Sequence, residues 1–207
     1  MKSRIGVAKT LAIVIAISLV LGAAVWQIRA TILNNALVEE LQRTEASVGA
    51  TPSDESWKSS FGQAVVADHI NHDYREALIL HMEALTHAAS PQRIAASYNS
   101  MGLSFEKLGM LEVAEQCHRK ATKADPGSDF FQKCLADVLL VRKKYVEAEP
   151  IYRSLLGRTS APDDRSALLW PLAETLDATG RKADADKARA ESYKAMDEAA
   201  ASRHLNK

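Results

Sequence analysis

Residues 98–126 read YNSMGLSFEKLGMLEVAEQCHRKATKADP, and this stretch decides the fold. Gly102 lies twelve residues before Ala114, and apolar residues recur around both at a helical period. A turn sequence, Lys107-Leu-Gly109-Met, separates the two. The stretch therefore predicts a helical hairpin whose two backbones approach closely where a small residue on the first helix faces an alanine on the second.

The same separation recurs along the chain. Three further pairs of residues lie twelve apart: Val65 and Ala77, Ala136 and Ala148, and Ala173 and Ala185. Together with Gly102 and Ala114 they make four pairs, which follow one another at intervals of 37, 34 and 37 residues. Periods of this length are typical of solenoids, in which a hairpin buries its apolar face only against its neighbours. We therefore predict four stacked hairpins over residues 58–199: 58–94, 95–128, 129–165 and 166–199.

The second hairpin resembles the tetratricopeptide repeat (TPR) family. The family's order of aromatic, Leu-Gly, Tyr, Gly, Ala, Phe, Ala and Pro is matched by Tyr98, Met101-Gly102, Phe105, Gly109, Ala114, His118, Ala121 and Pro126. The third and fourth hairpins are also similar to it, whereas the first departs from it, with Val65 at the small position and Asp68 at the aromatic one. The resemblance implies an all-α TPR solenoid that works by binding other proteins.

Local signals agree with these helices. Suitable capping residues stand at the predicted starts: Ser53 or Ser56, Ser90 before Pro91, and Ser128 or Asp129. Pro171 falls inside the predicted first helix of the fourth hairpin, so it should kink that helix or move its start downstream. Residues 186–203 are rich in Ala, Lys, Arg and Glu, and we expect them to form a long helix that caps the stack with a polar face.

The amino terminus predicts a membrane anchor. Residues 1–9 carry three basic side chains and no acid, and residues 10–28 carry no charge. A helix of that length roughly matches a hydrocarbon core of about 30 Å. Because basic residues are retained on the cytoplasmic side, we predict a single-pass inner-membrane protein with a cytoplasmic N-terminus and a periplasmic or extracytoplasmic C-terminal domain. A cleaved signal peptide is the alternative, since Gly22-Ala23-Ala24 is a passable cleavage site.

Residues 29–57 are predicted to form a helical stem and a linker between the anchor and the solenoid. The stem carries an imperfect amphipathic stripe: Ile28, Ile32, Leu37 and Leu41. Gly49 and Pro52 break this pattern and mark the linker. At the other end of the chain, residues 200–207 are predicted to be a short C-terminal tail.

The composition argues against several classes of protein. The 26 basic residues balance the 26 acidic ones, whereas a nucleic-acid binder would carry a positive surplus. A charged fraction of 25% and a net charge of zero argue against a disordered chain. The chain has no Gly-rich phosphate loop, no Gly-x-Ser-x-Gly elbow and no His-Glu-x-x-His. We therefore predict a protein that is not an enzyme and that binds neither a cofactor nor nucleic acid.

Two weaker patterns leave alternatives open. His69 and His72 stand three apart at the end of a helix, so both could reach one metal ion in a metal-dependent enzyme, although polar residues at a hairpin turn explain them better. Cys117 and Cys134 lie on neighbouring helices of the predicted stack. They could form a disulfide in an exported domain, or remain two buried thiols, which is the safer interpretation. His81 and His118 occupy equivalent positions between the helices and are interpreted as packing residues.

The first helices of such a solenoid line its concave face, which usually binds a peptide. From the family's pattern we expect eleven residues to face this groove: Asn99, Leu103, Glu106, Lys107, Phe130, Lys133, Asp137, Val141, Trp170, Glu174 and Asp177. Phe130 and Trp170 are the expected apolar anchors, although each could equally pack against a neighbouring repeat. Gly62 and Val66 stand where chaperone-binding members of the family carry a Lys and an Asn, so a carboxylate clamp is not predicted.

Together these patterns predict a membrane-anchored TPR scaffold or adaptor. It would bind a protein partner, or help to assemble a membrane complex, through the groove, while residues 10–28 hold it at the membrane. The alternative is a permanent structural subunit of one membrane complex. The metal-binding enzyme is a more distant possibility.

Overall fold

The protein is described by a computed structural model, which covers the backbone of residues 2–205 and the side chains of residues 23–203. In this part the chain is all-α, with nine helices: α1 (Lys2–Glu45), α2 (Asp54–His69), α3 (Tyr74–His87), α4 (Pro91–Lys107), α5 (Leu111–Ala124), α6 (Asp129–Val141), α7 (Tyr145–Leu156), α8 (Pro162–Ala178) and α9 (Lys182–Leu205). The helices form two compact units, Met1–Ala46 and Ser47–Lys207.

The first unit is the helix α1, and it requires a correction. Among the residues that the structure describes, no helix is sufficiently long and apolar to pass through a bilayer. Past Ile28, acidic and basic side chains interrupt the apolar run, and Arg43 pairs with Glu40 at 2.8 Å. Within the predicted span, the side chains of residues 10–22 lie outside the described part. The finding contradicts the predicted transmembrane helix over residues 10–28 and the inner-membrane localisation derived from it, and both are dropped.

The second unit is, in its described part, a stack of four helical hairpins. α2 pairs with α3, α4 with α5, α6 with α7 and α8 with α9, and each hairpin contacts the next one along the chain. Every hairpin turn places one residue in the left-handed region at an equivalent point, five residues before a fully buried alanine: His72, Gly109, Lys143 and Gly180. The backbone therefore repeats with the period that the sequence predicts.

The helix starts confirm the predicted caps. The side chains of Ser53, Ser90 and Ser128 each accept a hydrogen bond from the backbone N–H three residues later. Pro171 lies within α8, whose start at Pro162 it does not displace. The terminal helix α9 is present, but its outer face is not wholly polar, because Tyr193 and Met196 are 56% and 52% exposed.

The turn of the first hairpin holds one residue more than the others. In the later turns a backbone N–H donates five residues back: Met110 to Phe105, Lys144 to Leu139 and Arg181 to Leu176. In the first turn, Asp73 donates six residues back, to Ala67 at 2.8 Å. The register of α2 is therefore displaced by one residue. Ala64 is the buried small residue, and the prediction of Val65 for that position is wrong, since Val65 is exposed.

Candidate functional site

The first helices of the hairpins lie side by side. α4 contacts α6 and α6 contacts α8, while the indole nitrogen of Trp57 in α2 donates to the hydroxyl of Ser97 in α4 at 3.1 Å. All eleven predicted groove residues lie on α4, α6 and α8. We call the surface that these eleven residues occupy the first-helix face.

In the second hairpin, two polar residues of this face contact a buried histidine. The imidazole of His118, on α5, is fully buried. Its Nδ1 lies 3.0 Å from Oδ1 of Asn99, and its Nε2 lies 2.8 Å from Oε1 of Glu106, to which it donates. Asn99 is itself buried. Asn99 and Glu106 therefore hold His118 in place, and Asn99 has no open surface to offer a ligand.

In the third hairpin, a tyrosine makes the corresponding contact. The hydroxyl of Tyr152, on α7, donates to one carboxylate oxygen of Asp137 at 2.8 Å, and the ammonium of Lys133 donates to the other at 2.7 Å. Burial, together with the negative charge of Asp137, raises the pKa of Tyr152 far above its ordinary value. The phenol therefore stays protonated and acts as a donor. Lys133 and Asp137 remain partly exposed.

In the fourth hairpin, Arg189 of α9 pairs with Asp177 of α8. Arg189, Tyr152 and His118 all stand four residues after the buried alanine of their second helix. In these three hairpins, this position thus links the second helix to an acid on the first-helix face. The first hairpin has His81 here, and its Nδ1 has no hydrogen-bond partner among the described residues.

Most apolar residues of the first-helix face are exposed to solvent instead. Phe130 and Trp170 are 60% and 49% exposed, and Val141 is also exposed. Leu103 is half-buried, whereas Lys107 and Glu174 are exposed. The structure therefore separates the candidates into polar side chains that are mostly engaged within their own hairpin and apolar side chains that face solvent.

A cavity of about 340 Å³ opens beside Phe130, between α6 and α8. Apolar groups from three elements line it: Phe130, Leu155, Ala167 and Leu168. Lys133, Asp129 and Arg158 stand at its polar side, and Arg158 pairs with Asp129 at 2.9 Å. The arrangement offers an apolar recess with charged groups beside it.

Comparison with known proteins supports the fold. No protein-family model and no curated protein matches the chain. Two solved structures are similar to it, "MamA RS-1 ArsTM double mutant" and "MamA 41-end from Desulfovibrio magneticus RS-1", with TM-scores of 0.61 and 0.62. Each is 18% identical and aligns over 69% of this chain and 76% of the other. MamA is a TPR-like all-helical protein. This chain has a TPR-type fold.

The cavity in this TPR-type stack also has lining residues that the predicted groove did not include. Leu155 lies seven residues after Ala148, so helical periodicity could have placed it on the buried side of α7. Arg158 lies beyond the end of α7, and no local pattern indicates its contact with Asp129. That contact depends on how the α7–α8 connection folds back against α6.

The two metal-ligand candidates lie at the first TPR-type turn. His69 is exposed, with Nδ1 3.6 Å from a carboxylate oxygen of Asp68. His72 has φ 54° and occupies the left-handed position that Gly109 and Gly180 hold in other turns. Over the described ranges, no three or more His, Cys, Asp or Glu side chains are grouped so that they could hold a metal ion.

The two cysteines are both buried and are not joined in a disulfide. Burial, reinforced by the carboxylate of Asp137, raises the pKa of the Cys134 thiol to about 11. The thiolate, and not the thiol, is the nucleophile that attacks the disulfide of a thiol reagent. We therefore expect Cys134, isolated in a Cys117→Ser variant, to react with Ellman's reagent at pH 8 far more slowly in the native protein than in urea. Equal rates in the two states would contradict this placement.

Proposed function

We propose that the chain is a protein-binding scaffold, and that a segment of a partner protein binds to the first-helix face at α6 and α8. The exposure of Phe130 beside the apolar cavity, and of Trp170 on the neighbouring α8, supports this proposal most directly. Aromatic residues that reach into or border a pocket are frequent energetic anchors of protein interfaces. The TPR-like fold is consistent with a protein partner.

The neighbouring charges favour a peptide over a small polar ligand. Lys133 with Asp137, and Arg158 with Asp129, are already paired, so binding need not bring a new charge into the recess. A cavity of about 340 Å³ is at the lower end of the range of about 300–1,000 Å³ that is typical of ligand pockets. It has room for one or two apolar side chains of a bound segment.

A scaffold also fits the chemistry of the recess better than an enzyme does. Its lining contains Thr159 and Lys133, but no histidine or cysteine, so no nucleophile with an adjacent imidazole base is available there. The raised pKa keeps the nearby Cys134 protonated. A permanent structural subunit is the second candidate, and it would hold its partner in a fixed ratio after washing in high salt.

The proposal predicts the outcome of selecting binders from a random peptide library displayed on phage, with the full-length chain as bait. Enriched peptides should carry a large apolar residue, and Phe130→Ala or Trp170→Ala should weaken their binding at least tenfold in fluorescence anisotropy, a loss of about 1.4 kcal/mol.

Val146→Ala is the matched control, since Val146 is exposed on α7 and outside the first-helix face. Because Phe130 and Trp170 are about half exposed or more, thermal unfolding of these variants should stay close to that of the wild type. Equal peptide binding by all three variants, or a library that yields no binder, would contradict the proposal that a partner binds to the first-helix face. A large drop in the melting temperature would assign the aromatic residues to the core.

A further inference from the structure

A charge contact recurs at the junction of the second and third hairpins and at that of the third and fourth. The residue after the buried alanine of the second helix is Glu115 in α5 and Glu149 in α7. Glu115 accepts from Lys144 at 2.8 Å and pairs with Arg142, while Glu149 pairs with Arg181. These three basic residues all belong to the turn of the following hairpin. The contact therefore ties each of these two hairpins to the one that follows it.

Both glutamates are held in the charged form. Burial alone would raise the pKa of Glu115, but hydrogen bonds from Lys144 and Arg119 and the charge of Arg142 outweigh it and lower the pKa below its ordinary value. The pKa of Glu149 is lowered in the same way, by its basic partners. The acid at this position therefore acts as a fixed negative charge between two hairpins.

The fourth hairpin carries the same acid, but no hairpin follows it within the described residues. Asp186 stands after the buried Ala185 in α9, at the place of Glu115 and Glu149. It pairs with Arg189 of its own helix at 3.0 Å and is largely exposed. The charge that elsewhere meets the next hairpin faces solvent here.

On the fourth hairpin, the apolar surface beside this acid is also exposed. Where the third and fourth hairpins meet, α8 closes one side of the cavity beside Phe130 through Ala167 and Leu168. The equivalent place on the fourth hairpin, 37 residues further along, is a wider cleft of about 650 Å³. Trp170, Tyr193 and Met196 line it, and each is about half exposed.

We propose that this end of the stack, which we call the end face (Trp170, Asp186, Tyr193 and Met196), docks an amphipathic helical hairpin of another protein as a fifth layer. The earlier junctions define the chemistry of that partner. Its first helix would cover the cleft with small and leucine side chains, as Ala167 and Leu168 cover the preceding cavity. A Lys or Arg in its turn would pair with Asp186.

A second copy of this chain stacked head to tail is a poorer occupant. The residue that corresponds to Lys144 and Arg181 in the turn of the first hairpin is Asp73. A first hairpin docked on the end face would bring this acid towards Asp186, and like charges in contact oppose association. Charge complementarity therefore favours a different protein that carries a basic residue in its turn.

The end face is distinct from the cavity beside Phe130, although Trp170 belongs to both the first-helix face and the end face. The test accordingly uses Met196 and Asp186, which lie outside the first-helix face. Its probe is a fluorescein-labelled synthetic peptide of residues 162–181, the segment that makes the equivalent junction inside the stack and that includes Arg181. Binding to the full-length chain is measured by anisotropy.

We expect saturable binding that Met196→Arg weakens at least tenfold and that Phe130→Ala leaves unchanged. Asp186→Arg should also weaken it, and a peptide carrying Arg181→Asp should restore binding to that variant alone. Both substituted residues are exposed, so the variants should remain folded.

Three results would overturn the proposal. The first is the absence of binding, or binding that survives Met196→Arg. The second is loss of binding in Phe130→Ala, which would place the peptide on the first-helix face. The third is a dimer of the full-length chain in analytical ultracentrifugation that Met196→Arg dissociates, which would make a second copy the occupant.

Discussion

Replacing Gly102 by alanine should lower the free energy of unfolding by about 1–3 kcal/mol, the usual cost of overpacking a core. A Cβ atom at this position would lie 2.6 Å from Cε1 of His118. The ring cannot move aside cheaply, because it is fully buried and bonded at both nitrogens, to Asn99 and Glu106. Urea unfolding followed by circular dichroism measures the effect.

Gly62→Ala is the matched control, because Gly62 also lies inside a first helix but a Cβ there would meet nothing within 4 Å. This substitution should stabilise the protein by about 0.5–1 kcal/mol, since alanine is the better helix former. In a His118→Ala background, the penalty for Gly102→Ala should disappear. If both glycine substitutions stabilise the wild type alike, the close approach to His118 is not present.

Lowering the pH should destabilise the protein through His81. Burial, and then the charge of His69, lower the pKa of His81 to about 4, from an ordinary value near 6.5. Between these two pKa values the unfolded chain binds a proton that the folded chain does not, so stability falls as the pH falls from about 6.5 towards 4. A difference of about 2.5 pKa units corresponds to about 3 kcal/mol.

His81→Leu should remove this pH dependence, and it should also raise stability at pH 7 because the unpaired Nδ1 is no longer buried. Urea unfolding at several values between pH 7.5 and 4.5, compared with the wild type, measures the change in slope. His72→Asn serves as the control, since His72 is exposed and asparagine tolerates its left-handed backbone. Parallel pH profiles for wild type and His81→Leu would show that His81 is not the responsible group.

Much of the fold could be predicted from local spacing. The twelve-residue separation of Gly102 and Ala114, and its recurrence, indicated stacked hairpins because each hairpin needs a neighbour to cover its apolar face. The serine caps could be read directly, since a capping side chain acts on a backbone N–H three residues away. The first hairpin misled this reasoning, because the extra residue in its turn moves the small position from Val65 to Ala64.

The candidate site was less accessible from the sequence. Periodicity places both Asn99 and Phe130 on first helices. It does not reveal that Asn99 is hydrogen-bonded to His118, whereas Phe130 faces solvent. Such contacts depend on side chains that arrive from a different helix. The membrane prediction was also wrong. The apolar run in the sequence did not correspond to a membrane-spanning helix among the described residues.

The repeat, the serine-capped helix starts and the all-α class therefore follow from the order of residues alone, because each depends on interactions within a few turns of one chain segment. The opening of the cavity beside Phe130, the pairing of Asp137 with Tyr152, and the uncovered charge of Asp186 exist only once the hairpins are stacked. They arise from contacts between residues that are distant in sequence, and packing brings these together in a geometry that no local pattern encodes.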